Sequence, residues 1–421
     1  MKILADAINW FGSLPGPVMM FLLFLVINLV LGVGIQKSIK AAFMYALGLF
    51  ALSTFAFSVF LATVSEVGNA MVQNLGLTKT IVDFGNGVTP IIMSNPVIIW
   101  AIPVGIGINI LMLVLKLTKT LNVDLYNIMY FWGSVGVLTY IATKGNFLFA
   151  ILAMVITGAV TLIVADWNAP HIHEVYPQYK GLSFPYVYNC FYGPIAYVFN
   201  KLFDMVPFIR DSKLDANQIK EKMGPIGEPG IMGFFLGIVM GLCAGFGITN
   251  SLMVGIKIGA ALYFVPLSTK ILIEGLNETT TVLTKFAKDK FKDREIYIGL
   301  DGVVMSHSPE CLAVGLLLIP IALVLSVILP WNNVLPIGML SVGFILAAGF
   351  MPFFKNNMLK GIIFCVVVVI CELAMGEIMA PLFTQIAMDS GVAIPWGSVQ
   401  ITNAANFPNL LAWLFKLIAG V

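Results

Sequence analysis

Two stretches of this chain repeat one another, and each breaks apolar sequence in the same way. DFGNGVTP (83–90) precedes an apolar run that reaches Ile102 and Pro103, and DGVVMSHSP (301–309) precedes one that reaches Ile319 and Pro320. In each, an aspartate lies seven or eight residues before the proline of a Thr-Pro or Ser-Pro pair. Such a pair predicts a helix start, with a hydroxyl at the N-cap and proline at the first helical position. The match extends outward, with Glu66 and Asn69 falling opposite Glu274 and Asn277, and Asn146 opposite Asn357. Duplicated apolar sequence with helices interrupted at matching places is the pattern of transporters built from repeats.

The composition fixes the class of solvent. Hydrophobic residues make up 59% of the chain, charged residues 10%, and the mean hydropathy is +0.96. That is more apolar surface than a soluble domain could hide, so the expectation is an all-α polytopic membrane protein. At about 20 apolar residues per span, 421 residues leave room for about eleven transmembrane helices and their loops. The first residues (MKILADAINWFGSLPGP) lack a small-residue cleavage site and read as an interfacial segment. Cys190, Cys243, Cys311, Cys365 and Cys371 show no CxxC spacing and read as buried thiols. A net charge of +2 gives no reason to expect nucleic acid.

Spans are expected near 17–35, 41–63, 96–115, 125–142 and 147–165, then near 229–247, 250–266, 312–329, 334–350 and 360–377, with a last apolar segment at 400–418. Regions 78–95 and 297–311 are too short and polar to cross, and read as re-entrant hairpins that must be shielded by protein or line a water-filled cavity. Five spans per half is an odd number, so the second copy is inverted. The expected divisions are a first repeat (1–166), an amphipathic cytoplasmic connector (167–228), a second repeat (229–377) and a C-terminal segment (378–421). Lys37, Lys40, Lys116, Lys119, the connector, 270–294, Lys355 and Lys360 would share one side. By the positive-inside rule that side is cytoplasmic, which puts the N-terminus outside and the C-terminus inside.

Three separated motifs then carry a resemblance: GPIGEP (224–229), IGLD (298–301) with His307 after it, and NVDLYNI (122–128). They resemble the IIC membrane subunit of the galactitol-type phosphotransferase system, related to the ascorbate IIC proteins. The resemblance covers roughly residues 8 to 375. It implies a bacterial inner-membrane permease and a homodimer with an elevator-like moving core. It also implies a sugar alcohol or sugar as substrate, and a separate IIB protein, itself loaded by IIA, that donates a phosphoryl group. No cofactor is expected.

An ionisable side chain at membrane depth costs about 2.5–3.5 kcal/mol on insertion scales, so each one needs a reason. Asp83, Asp301, His307 and Glu310 are in that position, and Asn86, Asn127 and Glu228 join them as candidate substrate contacts. A neutral polyol presents many hydroxyls, and a carboxylate accepts them in charge-assisted bonds. Phosphoryl transfer asks for positioning plus a group to take the hydroxyl proton, and Asp301 or His307 could be that base.

Structural readings stand beside these. Asp83 and Asp301 could bond backbone amides at the hairpin tips. Glu310 could serve a helix dipole. Glu66, Asn69, Glu274 and Asn277 read as packing or hinge residues. The Lys285–Arg294 cluster is either a solvated helix face or a docking surface for an acidic or phosphorylated partner. His171, His173 and Glu174 lack a ligand cluster, so no metal is expected. Two other functions stay open: an ion-coupled secondary transporter of a small polar solute, and a membrane enzyme or receptor using the hairpins without transport.

Overall fold

Away from water the backbone must bond to itself, and long uncharged apolar runs do so as helices. The computed structural model describes residues 14–30, 32–52, 54–55, 59, 62–74, 79–88, 91–92, 95–124, 127–212, 229–291, 294–389, 400–404 and 409–419. Glu228, Thr89 and Pro90 lie outside the described residues, as do the side chains of Asn69, Asn86, Asn277, Lys285, Lys288, Lys290 and His307. Among the described residues, one short turn at Pro207–Arg210 aside, the helices of the first half are α1 (Gly16–Val30), α2 (Ile35–Leu52), α3 (Ala62–Asn74), α4 (Ala101–Val114), α5 (Gly133–Ala142), α6 (Phe147–Val175) and α7 (Val187–Phe203). Those that follow are α8 (Pro229–Cys243), α9 (Ile248–Phe291), α10 (Pro309–Ile328), α11 (Ile337–Phe350), α12 (Met358–Asp389) and α13 (Leu410–Ala419).

Four of these segments are long and apolar enough to cross a membrane: Pro96–Val114, Phe147–Val175, Pro309–Ile328 and Met358–Asp389, with mean hydropathies of 2.5 to 2.9. The chain is therefore a helical membrane protein. Several helices outrun the apolar runs that predicted them. At 1.5 Å per residue the 44 residues of α9 extend about 66 Å, roughly twice a hydrocarbon core, so the Lys-rich stretch after 270 continues the helix.

Matched positions in the two halves do matched work. Asn146 caps α6 by accepting the N–H of Phe149 at 3.2 Å, and Asn357 caps α12 by accepting that of Lys360 at 3.2 Å. Immediately before each cap the chain passes through left-handed backbone, at Lys144 and Gly145 in one half and at Lys355 and Asn356 in the other. Farther along, Asp166 on α6 accepts the N–H of Lys119 at 2.8 Å, while Glu377 on α12 accepts that of Asn333. Each carboxylate thus fixes the residue that leads into a short strand. Ion pairs also cross between halves, Lys40 to Glu274 at 3.6 Å and Lys257 to Glu66 at 3.9 Å. All four side chains are largely exposed, so these pairs steer packing more than they stabilise it.

The expectation of an all-α chain needs correcting, because two small parallel sheets lie inside the helical body. One has the order β5-β1-β6, from Val334–Leu335, Ile81–Asp83 and Gln400–Thr402. The other has the order β2-β4-β3, from Thr120–Asn122, Tyr297–Gly299 and Leu182–Ser183. In both, the central strand lies within a region expected to be re-entrant, and both its neighbours come from the other half of the chain. The central strands are buried at every residue. Two or three β-branched or aromatic residues in a row suit such strands, yet their length gives too short an alternation to read from sequence.

Two further segments differ from expectation. Segment 400–418 is β6 followed by the ten-residue α13, since Ile401 and its neighbours are drawn into the sheet with β1. Within the connector, α7 buries Val187, Tyr188, Asn189, Tyr192, Gly193, Ala196 and Phe203. Its polar groups are bonded into the body: Asn189 donates to the carbonyl of Gly349 at 3.3 Å, and Lys360, buried on α12, donates to Asn200 at 2.7 Å and Asp204 at 2.6 Å. Lys360 is thus a buried tie between α7 and α12. The five cysteines are free, and Cys243 is exposed.

Candidate functional site

In the first region expected to be re-entrant, β1 ends at Asp83, whose side chain is fully buried. One carboxylate oxygen accepts the N–H of Gly85 at 3.0 Å and that of Ala404 at 3.0 Å, and the other accepts that of Met339 at 2.7 Å. Three segments far apart in sequence converge on one side chain. Their approach is close because Gly85, at φ +51°, meets Gly338 backbone to backbone: a Cβ on Gly338 would lie 2.1 Å from the nitrogen of Gly85. In this geometry the Asp83 carboxylate is engaged by protein amides, the structural role weighed beside substrate contact.

The second region expected to be re-entrant differs. Asp301 lies two residues beyond the end of β4, outside the ladder, so the two aspartates that look equivalent in sequence are offset in the fold. It caps a turn at Gly302–His307, accepting the N–H of Val303 at 2.9 Å, and is only half-buried. Ser308 follows as the N-cap of α10, accepting the N–H of Cys311 at 3.2 Å, with Pro309 at the first position as the Ser-Pro pair predicted.

Asp301 does not stand alone. Asn127 hydrogen-bonds it, and the same amide donates to Asp124. A second Asp124 oxygen accepts the backbone N–H of Asn127 at 3.1 Å. Further back, the N–H of Asp124 donates to the Asn122 side chain at 3.0 Å, and the N–H of Asn122 donates to that of Asn109 at 3.0 Å. Asn122, Asp124 and Asn127 are all buried. The phenol of Tyr45, on α2, lies within electrostatic reach of both Asp124 and Asp301. The residues NVDLYNI thus form a polar loop against the second hairpin, and of the expected residues the fold brings Asn127 and Asp301 together.

Other expected residues fall elsewhere. Glu310 is buried in the first turn of α10, within electrostatic reach of the Tyr176 hydroxyl, which donates to Asn356 at 2.8 Å and lies 3.2 Å from the Ser308 hydroxyl. Glu228 and the side chains of Asn86 and His307 lie outside the described residues. His171 packs among Trp167, Tyr197 and Phe353, while His173 bonds the carbonyl of Leu182 at 2.7 Å. Arg294, the last of the basic cluster, reaches back to the carbonyls of Leu113 at 2.9 Å and Thr118 at 3.1 Å, closing the end of α4. Beside it, the Lys119 ammonium at 2.9 Å holds the Glu295 carboxyl below its usual range.

Three residues escaped the sequence reading. Asp124 sat in full view within NVDLYNI, and its charge in apolar surroundings was the available signal. Tyr45 gave none, because a tyrosine in an apolar helix is ordinary. Glu372 is a fully buried acid in the middle of α12, bonded by the Tyr192 hydroxyl. Its signal was the acid in the otherwise apolar run VVVVICELAMG.

Helices of this length around a buried polar cluster define a multi-pass membrane protein. Residues 14–397 match the family described as EIIC-GAT, PTS system sugar-specific permease component, and the chain belongs to that family. It is 31% identical over 410 residues to a provisionally named permease IIC component of Escherichia coli (strain K12), covering 95% of this chain and 91% of that one. It is also 26% identical over 412 residues to the PTS system galactitol-specific EIIC component of the same strain, covering 97% and 90%.

Proposed function

We propose that this chain is the membrane-embedded IIC permease of a phosphoenolpyruvate-dependent phosphotransferase system, importing galactitol or a related polyol or sugar as a separate phospho-IIB protein phosphorylates it. The observation that carries the reading is the permease-family match over residues 14–397, on a chain whose second hairpin sets Asp301 beside a polar loop. In this reading Asp301 or His307 takes the proton of the attacking hydroxyl, since the transfer itself needs mostly positioning. Asp301, Asn127, His307 and Glu310 hold the substrate, joined by Asn86 and Glu228, and Asp83 shapes the opposite hairpin.

The architecture proposed with it is about eleven spans, in two inverted five-helix repeats with the C-terminal segment after them. Matched caps at Asn146 and Asn357 and the two sheets built around the hairpin strands support the repeat. A homodimer in the bacterial inner membrane would move its core as an elevator, with the N-terminus outside and the C-terminus in the cytoplasm. IIA acts through IIB.

Reconstitution into lipid vesicles with a panel of hexitols and pentitols, with and without phosphorylated IIB, tests this. The expected result is phosphorylated polyol inside only when phospho-IIB is present. Accumulation of unmodified solute driven by a proton or sodium gradient would establish the ion-coupled alternative instead.

A further inference from the structure

The two sheets can be compared residue by residue through their registers. Val334, the first residue of β5, pairs with the first residue of β1, and Thr120, the first residue of β2, pairs with the first residue of β4. Counting four residues on from each reaches Gly338 in one arrangement and Asp124 in the other. At Gly338 the chain closes backbone to backbone on Gly85, and Asp83 is filled by three amide N–H groups. At the corresponding place the second arrangement carries a carboxylate, joined through Asn127 to another on Asp301.

A further polar group lies at that second place. Asn122 is buried, its side-chain oxygen accepts the N–H of Asp124, and the nitrogen of the same amide has no hydrogen-bond partner among the described residues. A buried donor left unmade costs about 1–3 kcal/mol, so a group that satisfies it in another state of the protein gives a reason for keeping it. Two acceptors and one unspent donor within a few residues suit a ligand whose groups both donate and accept, which is what an alcohol hydroxyl does.

We infer that Asp124 and Asn122 are substrate-binding residues, Asp124 accepting and the Asn122 amide donating to neighbouring hydroxyls of the polyol or sugar, with Asn127 fixing Asp124 against Asp301. The inference rests on the permease reading and adds to it that the two hairpins divide the labour. The acid of the second, Asp301, meets substrate with Asp124, and the acid of the first, Asp83, holds the fold together.

The test uses the full chain in vesicles, with galactitol and its monodeoxy analogues as probes. The variants are Asp124→Asn and Asn122→Ala. Each is expected to weaken galactitol binding by about tenfold or more. That loss should shrink to within about twofold for one particular monodeoxy analogue, because the hydroxyl that the residue serves is then already missing. A loss equal across all analogues, or no loss for either variant, overturns the inference. If Asp124→Asn fails to fold, Asn122→Asp decides, since it keeps the oxygen that accepts the Asp124 N–H and removes only the nitrogen that has no partner among the described residues. Should wild-type vesicles handle no member of the polyol panel, the permease reading itself fails and this inference falls with it. If wild type transports and both variants bind normally, the inference alone fails.

Discussion

The hydroxyl of Tyr192 donates to one carboxylate oxygen of Glu372, both side chains being fully buried, and the other oxygen of Glu372 has no partner among the described residues. This contact joins α7, from the connector, to the middle of α12. Tyr192→Phe leaves the acid with neither oxygen bonded by that hydroxyl, at a cost of about 1–3 kcal/mol. Thermal unfolding in detergent should show a lower midpoint for Tyr192→Phe than for Glu372→Gln, which keeps an acceptor facing the tyrosine. Equal midpoints for Tyr192→Phe and wild type would remove the contact from the account of stability.

Asp83→Asn replaces one acceptor oxygen by an NH2 group that faces backbone donors. At least one of the bonds to Gly85, Ala404 and Met339 is lost and a donor is set against a donor, which costs about 2–4 kcal/mol. The yield of folded protein and its unfolding midpoint should both fall. Any variant molecules that fold should bind substrate with near-normal affinity. A stable variant with binding abolished would return Asp83 to the substrate site.

Gly338→Ala places a methyl group 2.1 Å from the nitrogen of Gly85 and 2.8 Å from an Asp83 carboxylate oxygen. Neither neighbour is the free end of a flexible side chain, so the sheet must open to admit it. Overpacking of this kind costs about 1–3 kcal/mol or more. Size-exclusion chromatography and thermal unfolding should show a destabilised protein, whereas Gly34→Ala, which meets open space, should behave as wild type.

Asp301→Asn keeps a side-chain acceptor for the Val303 N–H, so the turn at Gly302–His307 should survive. Polyol phosphorylation with phospho-IIB is expected to fall by about a hundredfold or more, the usual worth of a positioned general base together with a charge-assisted contact. Near-normal uptake of phosphorylated product by a well-folded variant would take Asp301 out of the site.

Much of this could be read along the chain. Apolar runs marked the helices, and the Ser-Pro pair marked the start of α10. The duplicated asparagines were visible as a match between the halves, and the structure shows that each caps a helix, α6 and α12. The sheets were not legible, since each is assembled from three pieces two or three residues long that contribute too little pattern to detect. Nor was the offset between Asp83 and Asp301, which matched motifs hid and only strand register exposed.

The sequence alone determined the solvent, the class of secondary structure and the places where helices break, because hydropathy and capping act over a few neighbouring residues. Tertiary structure decided what each buried acid does. Asp83, Asp124, Asp301 and Glu372 are alike as carboxyl groups in apolar sequence. They differ in which donors converge on them: three amides for the first, one shared asparagine for the next two, and a tyrosine hydroxyl for the last. Gly85 and Asn127 are chain neighbours of Asp83 and Asp124, but Met339, Ala404, the Asn127 that reaches Asp301, and Tyr192 come from segments that meet only once the chain has folded, so the full set of donors is a property of packing.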